Sequence, residues 1–257
     1  MLISPQIPRA ALVTGGARRI GRGIVMALAE AGFSIAIHYN ASREDADETA
    51  RAVRAMGRDA EVLQANLGDE SAVRNLVPRA IEKLGPIGVL VNNASTFERD
   101  EWHDASRESW DAHIEPNLRA PFVLIQDFAR ALPKESEGLV VNLLDERVWS
   151  LTPHFVSYTV SKTALWTLTQ TMALALAPRI RVNGIGPGPT VPSPRQTQAQ
   201  FEAQCASVPL RHGSSPEEIG QAVLAMLQLR SYTGQMMALD GGQHLQWSPA
   251  GSPAIEE

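Results

Sequence analysis

Apolar and polar positions follow two rhythms along this chain. Short runs that are apolar at nearly every position are each followed by longer stretches with apolar residues three and four apart. The first rhythm marks strands covered on both faces, and the second marks amphipathic helices. On this pattern residues 10–14, 34–38, 60–64, 89–91, 139–143, 181–185 and 236–239 are predicted strands, and 19–31, 43–56, 70–84, 107–132, 157–177 and 217–229 are predicted helices. Gly32, Gly57 and Gly85 fall where helix C-caps belong. Strands alternating with helices call for parallel pairs joined by crossovers, so the expected class is α/β with a parallel sheet. No linker divides the chain, and one domain is expected over 1–257. Residues 188–212, rich in Pro, Gln and Ser, break the rhythm and read as a substrate loop passing over the sheet. The ends, about 1–7 and 248–257, are expected to be mobile.

Composition narrows the classes. A chain of 257 residues can bury a sizeable core without staples. Its one cysteine, Cys205, excludes an internal disulfide and fits a reducing compartment. No cysteine or histidine cluster has metal-ligand spacing, so no metal is expected. The net charge of −5 argues against a nucleic-acid partner. No apolar run approaches the ~18 residues of a membrane span, and the start Met1-Leu2-Ile3-Ser4-Pro5 lacks the features of a secretion signal. A cytoplasmic location is expected.

The chemistry begins after the first strand, at Thr14-Gly15-Gly16-Ala17-Arg18-Arg19-Ile20-Gly21. Glycines between a strand and a helix let the backbone approach a pyrophosphate, and the helix N-terminus offers free N–H groups to it. At the end of the second strand an NAD site would place a carboxylate for the ribose 2′-hydroxyl. The sequence there is His38-Tyr39-Asn40-Ala41-Ser42-Arg43, with no acid before Glu44. Ser42 with Arg19, Arg18 or Arg43 would accept a 2′-phosphate, so the expected cofactor is NADPH. Further along, Tyr158 and Lys162 lie four residues apart on one face of a predicted helix. A tyrosine near its ordinary pKa of ~10 is a poor relay at neutral pH, and a neighbouring ammonium is expected to lower that value.

Together these pieces resemble the short-chain dehydrogenase/reductase family over roughly residues 9–245. Asn92-Asn93-Ala94, Asn117, Arg181-Val182-Asn183, Pro187-Gly188 and Asp240-Gly241-Gly242 complete the match. The resemblance implies a single-domain Rossmann-type, doubly wound sheet of about seven strands, hydride transfer from a nicotinamide, and a homotetramer. It implies Asn117, Tyr158 and Lys162 as a proton relay. It also implies Gly15, Arg18, Arg19, Ile20, Gly21, Tyr39, Asn40, Ser42, Asn66, Leu67, Asn93, Ala94, Tyr158, Lys162, Pro187 and Gly188 around the cofactor. Asn66 stands where relatives usually carry an Asp for the adenine amine, and an amide oxygen can accept the same bond.

Two departures from the general family pattern point to a subfamily. The relay serine, thirteen residues before Tyr158, is Asp145, and the middle glycine of the loop is Arg19. Both resemble the pteridine reductases, as do Asn92-Asn93-Ala94-Ser95-Thr96-Phe97, His38-Tyr39 and Arg181 through Gly188. A carboxylate at 145 would oppose an alkoxide forming from a ketone. It suits a substrate whose reacting atom is a basic ring nitrogen, such as nitrogen 5 of a dihydropterin. Asp145 is then expected to hold Tyr158 and a water in a proton chain, Phe97 to stack on the pterin, and Arg19 and Ser95 to hydrogen-bond it. Taken singly, Asp145 also admits a structural pairing with Arg147, Phe97 a covering role and Ser95 a turn cap. The rivals are a 3-oxoacyl thioester or general ketone reductase on the same scaffold, and a non-catalytic NADPH-binding module. Trp149 and His154 stand between Asp145 and Tyr158 with no role assigned, and residues 243–247 are expected at a subunit boundary.

Overall fold

Seven short apolar strands lie side by side in the order β3-β2-β1-β4-β5-β6-β7, and every pair is parallel. The structure, a computed structural model, describes residues 3–246. The strands are β1 Ala10–Val13, β2 Ser34–Tyr39, β3 Ala60–Gln64, β4 Val89–Asn92, β5 Gly138–Leu143, β6 Ile180–Pro187 and β7 Met236–Leu239. Every residue of β1, β4 and β5 is buried, as expected where helices cover both faces. On one face α1 (Arg19–Glu30), α2 (Arg43–Ala55) and α9 (Pro216–Gln228) close over Val13, Ile35, Ile37 and Val141. On the other, α4 (Leu76–Leu84), α6 (Ala120–Ala131) and α7 (Val156–Leu176) close over Leu12, Leu90, Val140 and Val182. Strand order reverses between β1 and β4, and the loops after these strands open the crevice where such sheets take ligands.

Several helices begin where side-chain caps allow. Asp69 accepts the N–H groups of Ser71 and Ala72 to start α3 (Glu70–Arg74), and Ser106 with Ser109 forms a capping box for α5 (Arg107–Ile114). Two predicted helices are broken. The stretch 70–84 divides at Asn75, because Pro78 has no N–H to offer the carbonyl of Arg74. The stretch 107–132 is interrupted by a wider, π-type turn at Glu115–Arg119, which contains Pro116. The excursion 188–212 contains a helix, α8 (Gln198–Ser207), started by a Thr197/Gln200 capping box. None of its residues is buried, so no apolar stripe announced it. Residues 3–7, expected to be mobile, are docked instead. Ser4 and Ile7 are buried, and the Gln6 carbonyl accepts Glu137 N–H at 3.1 Å. The expectations for 248–257 and for Trp247 lie outside the described residues.

Candidate active site

The cofactor loop is shaped by the strands beside it. Gly15 sits at φ +62°, a conformation few side chains adopt, and a Cβ on Gly21 would lie 2.0 Å from Gly15 O, so the turn closes only with glycine there. The Gly15 N–H donates to His38 Nδ1 (3.1 Å), and His38 Nε2 reaches Ala65 O (3.1 Å), which fixes the ring as neutral with its proton on Nε2. Burial holds this histidine down at about 4. Asn93 Nδ2 donates to Thr14 O (2.8 Å) and Gly15 O (3.1 Å), while the Asn93 and Ala94 N–H groups donate to Thr14 Oγ1 at 2.9 and 3.0 Å. Ile20 and Gly21 lie in the first turn of α1, which carries no acidic residue, so its N-terminal field remains available to an anion.

At the end of β2, Tyr39 OH accepts Arg43 Nη1 at 3.2 Å, and the Ser42 side chain makes no cap bond to α2. Arg18, largely exposed, stands 3.8 Å from Asp45. Residues 38 to 43 thus carry no carboxylate, and Arg43, which also donates to Asp47 Oδ2 at 2.8 Å, joins Arg18, Asn40 and Ser42 as donors of the kind that fit a ribose 2′-phosphate. Asn66 turns its Oδ1 to Gly68 N–H (3.0 Å), so the acceptor expected for the adenine amine is engaged within its own turn, beside buried Leu67.

Of the four residues expected to carry the chemistry, Asp145, Tyr158 and Lys162 stand together, and Asn117 is joined to them through Ser161. Tyr158 O–H donates to Asp145 Oδ2 at 2.7 Å, and the other Asp145 oxygen accepts Arg147 N–H at 2.9 Å. The link between Asp145 and residue 147 is therefore a backbone cap, which leaves the second oxygen for the tyrosine. Lys162, 2 % exposed, donates from Nζ to Leu143 O (2.8 Å) and lies 5.7 Å from the centre of the Tyr158 ring. Asn117 sits in the π-type turn, turned inward and buried. Its Oδ1 accepts Thr96 N–H (2.8 Å) and Ser95 Oγ (3.2 Å), and its Nδ2 donates to Thr96 O (2.9 Å) and Ser161 Oγ (3.1 Å). The expected lowering of the tyrosine is reversed. Burial first, and the Asp145 carboxylate next, push the Tyr158 phenol well above its ordinary value, while Arg147 pulls the other way. Lys162 is itself held down at about 8 by burial, with Asp145 opposing. The tyrosine is a firmly protonated donor.

Beside Asp145 opens a cleft with about 420 Å³ of empty volume, partly continuous with solvent, lined by Phe97, Asp145 and residues of the 187–204 segment that include Pro187, Gly188 and Phe201. Phe97 stacks on Phe155 (centroids 4.7 Å apart) and meets the Tyr158 ring edge-on at 4.6 Å. One face of Phe97 is therefore taken by Phe155, and the guanidinium groups of Arg195 and Arg147 lie 5.1 and 5.4 Å from the centre of the same ring. Arg19, at φ +54°, donates from Nη2 to Pro192 O (2.9 Å), which joins the cofactor loop to the substrate loop. Arg195 closes that loop from the other end, with 2.6 Å to Glu98 and 3.0 Å to Phe97 O. Trp149 and His154 do not line the cleft: Trp149 meets Trp166 and His244 edge-on, and His154 Nδ1 lies 3.0 Å from both oxygens of Glu101.

Three features escaped the sequence reading. Phe155 precedes α7 at φ +55°, a strained conformation for a bulky side chain, held by its stack on Phe97. Asp100, His113 and Ser157 form a buried cluster beside Tyr158, with Ser157 Oγ bonded to Asp100 and 2.7 Å from His113 Nδ1. It ties the loop after β4 to the start of α7. Glu146 lines the cleft, buried, and is pushed up to about 8, by burial first and Asp145 next. None has a spacing signal, because each depends on segments distant in the chain. A larger groove, about 1010 Å³ of mostly open space between α4 and α6, carries no comparable chemistry.

Comparison with known proteins agrees with this geometry. The chain is 30% identical over 166 residues to the 3-oxoacyl-[acyl-carrier-protein] reductase of Staphylococcus aureus, covering 65% of this chain and 68% of that one. It superposes on FolM alternative dihydrofolate reductase 1 from Brucella canis, complexed with NADP, with a TM-score of 0.93 and 48% identity over 96% of this chain and 99% of that one. The corresponding Brucella suis protein, also in complex with NADP, gives 0.91 and 49% over 94% and 97%. Residues 9–203 match the short chain dehydrogenase family, and with the parallel sheet, the glycine loop and the Tyr158/Lys162 pair in place, the chain belongs to it.

Proposed function

We propose that this protein is an NADPH-dependent reductase of pteridines, converting a dihydropterin to a tetrahydropterin, with dihydrofolate as a further candidate. The observation that carries this reading is the 2.7 Å bond from Tyr158 O–H to Asp145 Oδ2. A ketone reductase gains from a neutral hydroxyl beside its tyrosine, which stabilises developing negative charge on oxygen; a carboxylate there does the opposite. When a basic ring nitrogen is the acceptor, no anion forms and the carboxylate favours a cationic proton path. The likeness to the two Brucella proteins supports the same reading.

The glycine loop and the α1 N-terminus would hold the cofactor pyrophosphate, with Ile20, Asn93 and Ala94 beside it. Ser42, Arg18 and Arg43 would take the 2′-phosphate, and Pro187 and Gly188 would border the nicotinamide. NADPH, when bound, supplies the hydride to carbon 6 of the pterin. Tyr158, kept protonated by burial and by Asp145, gives its proton to nitrogen 5. Asp145 orients the hydroxyl and draws the replacement proton back to the phenolate. Lys162 holds the end of β5 through Leu143 O and carries positive charge behind the ring. Asn117 fixes Ser95 and Thr96, and so the wall on which Phe97 stands. Arg19 and Ser95 hydrogen-bond the ring, and Phe97 packs on it. The protein would work as a homotetramer.

The 3-oxoacyl reductase reading is favoured by the Staphylococcus aureus relative. NADPH oxidation with 7,8-dihydrobiopterin in one cell and an acetoacetyl thioester in another separates the two. The pterin is expected to turn over and the thioester is not. Tyr158→Phe should lower pterin turnover by about 10²-fold or more while NADPH still binds, as read by its fluorescence. Thioester turnover alone would overturn the pteridine reading, and an unaffected Tyr158→Phe would remove the tyrosine from the chemistry.

A further inference from the structure

Two acceptor groups in the cleft take no part in the steps above. Glu146 follows Asp145 in the one-turn 3₁₀ segment Glu146–Val148 and is 6 % exposed. It lines the cleft, and among the described residues its carboxyl makes no hydrogen bond or ion pair. Gln243, at the start of the turn Gln243–Leu245, lines the same cleft, and among the described residues its buried Oε1 has no hydrogen-bond partner. That oxygen lies beside Gly188, where an added Cβ would approach it to 3.1 Å. Buried acceptors without donors are uncommon and costly, and a ligand that brings donors removes the cost.

The surroundings specify which donors. Asp145 and Asp240 oppose further negative charge at Glu146, and Arg147 favours it. Pro187, Pro189, Val191 and Phe201 make much of the remaining wall and offer no side-chain donor. Thr190 is already bonded to Gly188 O and Ser214. Arg19 and Ser95, the groups proposed for the pterin ring, are not among the cleft's lining residues. The acceptors therefore face what extends from the ring. A carboxylate there would meet the carboxyls of Asp145 and Glu146 beside the Arg147 guanidinium, whereas an uncharged hydroxyl can donate to an amide oxygen and to a carboxyl alike.

We propose that Glu146 and Gln243 form an acceptor pair for hydroxyl groups on the substrate's side chain, which makes Glu146 a specificity-determining residue for hydroxylated, uncharged side chains. This rests on the pteridine reading. The test compares 7,8-dihydroneopterin, with its trihydroxypropyl chain, and 6-methyl-7,8-dihydropterin in steady-state NADPH oxidation. The wild type should favour the hydroxylated substrate in kcat/KM. Glu146→Ala should cut that preference about tenfold, mostly through KM, and Glu146→Gln, which keeps an acceptor, should restore most of it. An unchanged preference in Glu146→Ala would overturn the proposal and leave the pteridine reading standing, and the methyl substrate reports any general damage to the fold. Turnover of neither pterin by the wild type would bring down the pteridine reading and this inference with it.

Discussion

At His38 one imidazole joins the cofactor loop to the sheet, accepting from Gly15 and donating to Ala65 O. Burial lowers its pKa from 6.5 to about 4. The unfolded chain therefore binds a proton below about pH 6.5 that the folded chain refuses until about pH 4. The associated stability is complete above 6.5 and is lost as pH falls through that window, on the order of 3 kcal/mol. Urea unfolding between pH 7 and 4 should show this loss in the wild type and a smaller one in His38→Gln; equal losses would contradict it. The sequence marked His38 by resemblance but not its bonding, because both partners come from other segments. Asp145 was legible as a departure from a family spacing. Glu146, next to it, carried no signal, since nothing in a sequence tells which side of a short turn faces a cleft.

Among elements, the π-type turn Glu115–Arg119 does most to place chemistry. The sequence predicted one helix over 107–132, and the wider turn at Pro116 faces Asn117 inward, with both ends of its amide bonded. Asn117→Ala would leave the Thr96 N–H and Ser161 without these bonds. It should destabilise the fold by about 1–3 kcal/mol and lower kcat more than it weakens NADPH binding. Thermal melts and a fluorescence titration check the two parts, and a fully active, fully stable variant would contradict the role. The start of α7 is the second such element, where strained Phe155 and the Asp100–Ser157 bond anchor the first turn of the helix that carries Tyr158. Period and composition reveal that α7 exists; they do not reveal strain, which arises only when Phe97 arrives from the loop after β4. The helix α8 was hidden for the opposite reason, since it buries nothing.

For the whole molecule, the alternation of apolar runs and helical stretches sufficed for the layer order, because a parallel sheet leaves few ways to connect. Assembly is less legible. The helix α7 is apolar around much of its circumference yet leaves Val160 and Leu174 exposed, Leu174 at 83 %. A surface of this kind asks for a partner, and light scattering should give a homotetramer that Leu174→Glu reduces to smaller species; a wild-type monomer would contradict it. Substrate choice draws on the molecule as a whole, since the carboxylate of β5's end, the tyrosine of α7 and the loops over them must act on one atom. The most direct test is Asp145→Ser, assayed by NADPH oxidation on 7,8-dihydrobiopterin and on an acetoacetyl thioester. The account predicts that pterin turnover falls by about 10²-fold with NADPH affinity retained, and that any thioester turnover rises. Undiminished pterin reduction by Asp145→Ser would contradict it.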